Sequence, residues 1–183
     1  AKFRPDLFPL FSLDSNLEVI IQVSNFEHRD GGIWRDIYIG DYFKLIKERE
    51  LVLILDMLIF GALIIMGLYH VSLYLQRKQD HTSLSFAILV LVMAIRIPFT
   101  GLRIIEDIFP MLPWELCEKI SYLTFYFIVG FANLYFFYLF KKDFNKRVLQ
   151  GICIFTLINS LIVIILRSRQ YVYLLLPFQV ITI

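Results

Sequence analysis

The order of apolar and polar positions divides the chain near residue 52. Beyond it lie four apolar stretches, each long enough to cross a membrane as an α-helix, since a span needs about 20 mostly apolar residues. They cover residues 52–75, 83–102, 120–140 and 148–166, and a fifth stretch, 171–183, reaches the last residue. Four such stretches in series are not typical of a soluble core, and they are too long for barrel strands. Residues 52–183 are therefore predicted to form a transmembrane α-helical bundle.

Residues 1–43 have a different pattern. Apolar side chains partly alternate over 16–26, a turn with two glycines follows at 28–32, and residues 33–40 resemble a second strand. A piece of this size is marginal as an independent fold. We therefore predict a mixed fold class, with the C-terminal strands of a β-sandwich followed by the helical bundle. Because the sandwich lacks its earlier strands and the fifth apolar stretch is short, the chain is expected to be an internal fragment.

Residues 44–51 join the two parts of the chain. Most of them are charged, and none is proline or glycine. They are predicted to form a juxtamembrane linker helix. A helix running continuously into the first span could carry a shift of the outer domain inward. A solvated linker is the alternative, and the sequence does not decide between them.

Basic residues in the short loops predict the orientation of the bundle. The loop after the first span contains Arg77 and Lys78, and the third loop contains Lys141, Lys142, Lys146 and Arg147. The second loop is mostly acidic. Loops one and three are therefore predicted to face the cytoplasm, which places residues 1–43 outside the cell and the protein in the inner (plasma) membrane.

Composition excludes several classes of protein. The chain is 58% hydrophobic and 19% charged, whereas soluble domains are about 45–50% apolar and about 25% charged. A net charge of +2 is too small to indicate a nucleic-acid partner. The cysteines, Cys117 and Cys153, have no metal-ligand spacing. No enzyme signature is present, so neither a metal, a cofactor nor catalysis is predicted for this part of the protein.

Asp56 and Arg96 are the charged residues that lie well inside predicted spans. Charge within a bilayer is costly, so such residues are usually paired or face a cavity. On helical rise alone both lie near the outer end of the bundle, and we hypothesise an Asp56–Arg96 ion pair. Alternatively, Asp56 lies at the interface and Arg96 extends outward. His70, near the inner end of span one, is more typical of a hydrogen-bonded interface histidine than of a pH sensor or a ligand-binding residue.

Four residues of the N-terminal part have side chains suited to a ligand pocket: His28, Arg29, Asp30 and Trp34. A tryptophan ring stacks on sugar faces, and aspartate or arginine can bond to hydroxyl groups. A turn aspartate and a sheet-buried tryptophan are more often structural. Both interpretations stay open.

Two segments carry a family resemblance. "VIIQVSNFEHRDGGIW" (residues 19–34) resembles the end of the jelly-roll sensor domain of bacterial seven-transmembrane receptors with diverse intracellular signalling modules. "RIPFTGLRIIEDIFPMLPWELCEKISYLTFY" (residues 96–126) is similar to the region between the second and third spans of the same family. The resemblance implies a galactose-binding-like jelly roll outside the cell. It also implies helices that transmit an external signal to a C-terminal kinase, cyclase or phosphatase.

The predicted function is therefore that of a signal-transduction receptor. It would bind an extracytoplasmic small molecule or carbohydrate as its ligand. The lipid bilayer is its other predicted partner. Receptors of this type often act as homodimers, although nothing in the sequence fixes an interface. The alternative is a fragment of a multi-pass transporter, but no half-to-half repeat or cluster of midplane polar residues is present. A membrane-embedded transferase is disfavoured because Asp56 and His70 lie at opposite ends of one span.

Overall fold

A computed structural model describes residues 7–10, 19–22, 37–142 and 145–182. Its elements are helices joined by short turns. Two turns of 3₁₀-helix lie at Ile97–Phe99 and Val172–Leu174. The α-helices are α1 (Tyr42–Gln76), α2 (His81–Arg96), α3 (Ile105–Ile108), α4 (Trp114–Leu139), α5 (Lys146–Ile165), α6 (Ser168–Tyr171) and α7 (Leu175–Thr182).

The predicted jelly-roll strands are the main error of the sequence analysis. The described residues contain no strand or sheet, and segments 19–22 and 37–40, which lie within the expected strands, are irregular. The side chains of Ile20, Tyr38 and Ile39 are 77%, 73% and 73% exposed. Alternating apolar residues form a strand only when a neighbouring strand pairs with the backbone and a second layer covers one face. Neither condition is met by these two segments.

Four helices of the described chain are long and apolar enough to cross a membrane: α1, α4, α5, and α2 together with its 3₁₀ turn. Each packs on the next in chain order, so that α2 contacts α1 and α4, and α4 contacts α5. Most of their apolar surface is not covered by protein. In α1, for example, Gly67 is the single buried residue. Apolar helices with open faces require a bilayer, so the protein is a multi-pass membrane protein.

Helix α1 is continuous from Tyr42 to Gln76. Asp41 caps its start, since its carboxylate accepts a hydrogen bond from the backbone N–H of Lys44 at 2.9 Å. The charged residues 44–51 therefore form the first turns of the same helix that enters the apolar region.

Two contacts define how the helices pack. Gly67 of α1 lies against α2 so closely that a Cβ atom there would be 2.6 Å from the Cγ and Cδ2 atoms of Leu91. On the other side of the bundle, Tyr126 of α4 and Val163 of α5 are fully buried together with Tyr171 and Phe178 from the last segment. The ring of Phe178 stacks on that of Phe155 with centroids 5.4 Å apart. This cluster fixes residues 168–182 against α4 and α5.

Candidate functional site

The connection between α2 and α4 makes a strained turn. Gly101 and Arg103 have φ angles of 61° and 52°, the left-handed region that favours glycine. A non-glycine residue is uncommon there, and it is retained when surrounding contacts hold it. Arg103 donates its backbone N–H to the carbonyl of Thr100 at 3.0 Å. This turn places the Arg103 side chain against helix α4.

Arg103 lies between two carboxylates. Its guanidinium donates a hydrogen bond to Oε1 of Glu118 on α4 and forms an ion pair with Glu106 of α3 at 3.5 Å. The side chains are 17% exposed for Arg103 and 7% for Glu118. A carboxylate so well buried is stable as a charge only when it is paired. Arg103 therefore ties the α2–α3 turn to α4.

Arg96, one turn before this strained segment, also contacts α4. Its guanidinium donates to the backbone carbonyl of Ser121 and, at 3.4 Å, to Oγ1 of Thr124. The same guanidinium lies 5.5 Å from the centroid of the Phe125 ring, a cation–π distance. A charge in an apolar bundle is thus stabilised by a main-chain dipole, a hydroxyl and an aromatic face.

Ion pairs extend the contacts to the neighbouring helices. Arg49, in the part of α1 that precedes the apolar region, lies 3.7 Å from Asp107 of α3, with side chains 35% and 41% exposed. Lys119 of α4 lies 3.6 Å from Glu115 and donates to the carbonyl of Ile164 in α5 at 3.1 Å. We call the set Arg49, Arg96, Arg103, Glu106, Asp107 and Glu118 the charge network. It lies at one end of the bundle, which we call the network end, and joins α1, α2, α3 and α4.

The predicted pair of Asp56 and Arg96 is not among the ion pairs of the described residues, because Arg96 is directed to α4. Asp56 lies beside the strained turn instead, with its Oδ2 atom 3.5 Å from where a Cβ on Gly101 would be. Both residues are thus at the network end, although they do not form the predicted contact. His28, Arg29, Asp30 and Trp34 lie outside the described residues. No group of three or more potential metal ligands occurs in the part of the chain that was described.

Arg103, Glu106 and Glu118 were not selected as candidate site residues from the sequence, because they counted only as charges of the second loop. The sequence did contain one indication of the Arg103–Glu118 pair. Arg103 and Glu118 border the second and third apolar stretches, and opposite charges at facing ends of consecutive spans can pair. Recognising the pair also required the left-handed conformation of Arg103, which loop sequence does not predict for arginine.

Comparison with known families identifies the class. The family model described as 7TM diverse intracellular signalling matches residues 53–183, which is most of the chain. The protein therefore belongs to this family of membrane signalling receptors, which confirms the family that the sequence indicated. The match includes residues 96–126 but not the segment 19–34 that resembled a jelly-roll sensor domain. The family is a sensory signalling domain that is not itself catalytic. Comparisons with curated proteins and with solved structures give no significant match.

Proposed function

We propose that the protein senses an extracytoplasmic small molecule or carbohydrate and relays its binding across the membrane to a cytoplasmic output domain. Family membership favours this receptor function over transport. The observation that carries the relay is the continuity of α1, which joins Asp41 to Gln76 without a break. A helix of this length rises about 50 Å, enough to cross the bilayer and extend beyond it. Movement at its start can therefore reach the opposite side.

The proposed orientation places the network end outside the cell, in the plasma membrane. The other end of the bundle carries two basic loops, one with Arg77 and Lys78 and one with Lys141 and Lys142. We call it the basic end. Short basic loops are typically cytoplasmic. In this arrangement residues 28–34 are extracytoplasmic, and His28, Arg29, Asp30 and Trp34 are the proposed ligand contacts.

The charge network supplies contacts of unequal strength, which suits a relay. The Arg49–Asp107 pair is solvent-exposed, and such pairs contribute about 0–1 kcal/mol. The Arg103–Glu118 pair is buried, and breaking a buried pair costs about 3–5 kcal/mol. A modest signal can therefore release α1 from α3 while α2 and α4 stay joined. We propose that α1 then tilts against a rigid α2–α4 unit about its close contact with α2 at Gly67.

A charge exchange tests this relay without knowledge of the ligand. Gln79 is exposed just beyond the basic end of α1, so the maleimide labelling rate of a Gln79→Cys reporter, in a variant without Cys117 and Cys153, reports on that end. We expect Arg49→Asp and Asp107→Arg each to change the rate by about two- to fivefold, which matches the energy of an exposed pair. The double exchange should restore the original rate. Glu48→Lys is the matched control, since Glu48 is exposed on the same turn. Unchanged rates in both single variants, or no restoration in the double variant, would refute the relay.

A further inference from the structure

A crevice of about 240 Å³ lies at the basic end, between α1, α2 and α4. It is lined by His70 of α1, by Thr82, Ser83 and Phe86 of α2, and by Tyr135 of α4. Three hydroxyl groups and an imidazole thus face one small space between apolar helices. A pocket with a few convergent polar groups is typical of a binding site. This site is remote from the charge network, which lies at the other end of the bundle.

His70 has an unmet hydrogen-bonding requirement in this crevice. Its ring packs edge-on against Phe86, with centroids 4.6 Å apart, which fixes its orientation. The Nδ1 atom is buried and has no hydrogen-bond partner among the described residues. The sequence favoured a hydrogen-bonded interface histidine, but the structure gives this atom no such bond. Leaving a buried polar atom unpaired is unfavourable. A flip of the imidazole ring by about 180° exchanges Nδ1 with a ring carbon, so a flip that presents this nitrogen to the crevice would let a ligand atom bond with it.

The charged residues beside the crevice favour an anionic ligand. The adjoining surface groove is lined by residues 75–80 and includes Arg77 and Lys78. Its one carboxylate, Asp80, accepts hydrogen bonds from the Ser83 hydroxyl at 2.6 Å and from the Ser83 backbone N–H at 3.3 Å. These two bonds lower the pKa of the Asp80 carboxyl below its usual value, and the bond from the Ser83 hydroxyl has the larger effect. Asp80 therefore stays ionised while it caps α2, and the groove, with two cations and one carboxylate, keeps a positive balance that favours an anion.

The crevice lies at the basic end, close to the end of the apolar part of α1, where the span would meet the bilayer interface. Tyr69 and Leu75 of α1, which are close in sequence to His70, are 59% and 63% exposed. An exposed apolar surface of this kind can contact the acyl chains of a lipid. At the same end, Lys141 lies 5.8 Å from the Tyr138 ring centroid. Basic residues close to a membrane surface attract anionic lipids. A lipid is therefore a better match than a soluble anion, because it satisfies the polar crevice and the apolar flank together.

We propose that this space, the His70 crevice, binds the headgroup of an anionic phospholipid from the leaflet at the basic end. The phosphate lies beside Arg77 and Lys78, the headgroup hydroxyls and ester oxygens bond with His70 and Tyr135, and the acyl chains follow α1.

The test uses the purified full chain in detergent micelles, with phosphatidylglycerol as the probe and phosphatidylcholine as the comparison lipid. Binding is measured by native mass spectrometry over a lipid titration. We expect phosphatidylglycerol to bind more tightly, and His70→Phe and Tyr135→Phe each to weaken it by about tenfold, the effect of losing one good hydrogen bond. His81→Phe is the matched control, an exposed histidine at the same end that does not line the crevice. It should leave binding unchanged.

Three results would overturn the proposal: equal binding of the two lipids, equal losses for His81→Phe and His70→Phe, or no loss in either crevice variant. Glycerol phosphate is added as a competitor. If it displaces the probe at the probe's own concentration, the site takes a soluble phosphate and the lipid proposal fails. Thermal unfolding of each variant checks folding. If His70→Phe does not fold, Tyr135→Phe decides the outcome, because it removes a single hydroxyl and keeps the ring.

Discussion

Replacing Arg103 by methionine is expected to lower the free energy of unfolding by about 3–5 kcal/mol, the cost of leaving a buried charge without its partner. The stranded charge is Glu118, whose side chain is 7% exposed. Methionine fills much of the space of the arginine stem, so the loss reports on charge rather than on a cavity. The measurement is reversible unfolding of the purified protein by sodium dodecyl sulfate titrated into mixed micelles.

Two further variants separate pairing from packing in that experiment. Glu115→Gln removes the partner of Lys119, but its side chain is 41% exposed, so the expected loss is about 0–1 kcal/mol. The double variant Arg103→Met/Glu118→Met removes both buried charges and should recover about half of the single-variant loss or more. If Arg103→Met costs no more than Glu115→Gln, the buried pair does not hold the turn to α4.

Gly67→Ala is expected to destabilise the protein by about 1–3 kcal/mol, the usual cost of overpacking a close contact. The added methyl group would lie 2.6 Å from Cγ of Leu91 and 3.3 Å from Cγ2 of Val90. Since Cγ is the branch point of the leucine side chain, rotation of a terminal methyl cannot relieve the contact. Either the whole Leu91 side chain must change its χ1 rotamer or α1 and α2 must separate, and both are costly in a packed contact. The same unfolding titration measures the loss.

Gly61→Ala provides a matched control in the same helix. A Cβ at Gly61 has no heavy atom within 4 Å, so alanine should be neutral or stabilise the protein by up to about 1 kcal/mol through helix propensity. Equal effects of the two substitutions would mean that Gly67 acts through propensity, and that α1 and α2 do not pack closely.

Apolar length was sufficient to indicate a membrane bundle, because a helix that satisfies its own backbone needs no information about its neighbours. Strands differ in this respect. The alternation over residues 16–26 was real, but a strand depends on a partner that local sequence does not specify. The described residues 19–22 show the consequence, since they carry strand-forming side chains on an irregular backbone.

The position of Arg96 along its helix could be predicted, but its partner could not. Helical rise placed Arg96 and Asp56 at similar depths, and opposite charge suggested that they pair. Depth does not specify the direction around the helix axis, and Arg96 is directed to α4, where Ser121 offers a backbone carbonyl. Main-chain acceptors leave no signal in a sequence. The same limit applies to Gly67, whose close contact with Leu91 depends on how α1 and α2 cross.

The central claim is that α1 crosses the membrane and joins an outer network end to an inner basic end. Single cysteines at Glu48 and at Gln79, in a protein without Cys117 and Cys153, test it with a membrane-impermeant maleimide on intact cells. Both sites are exposed, and they flank α1's apolar part. The account predicts labelling of Glu48→Cys in intact cells and of Gln79→Cys only after permeabilisation. The reverse pattern, or labelling of both sites from outside, would contradict it.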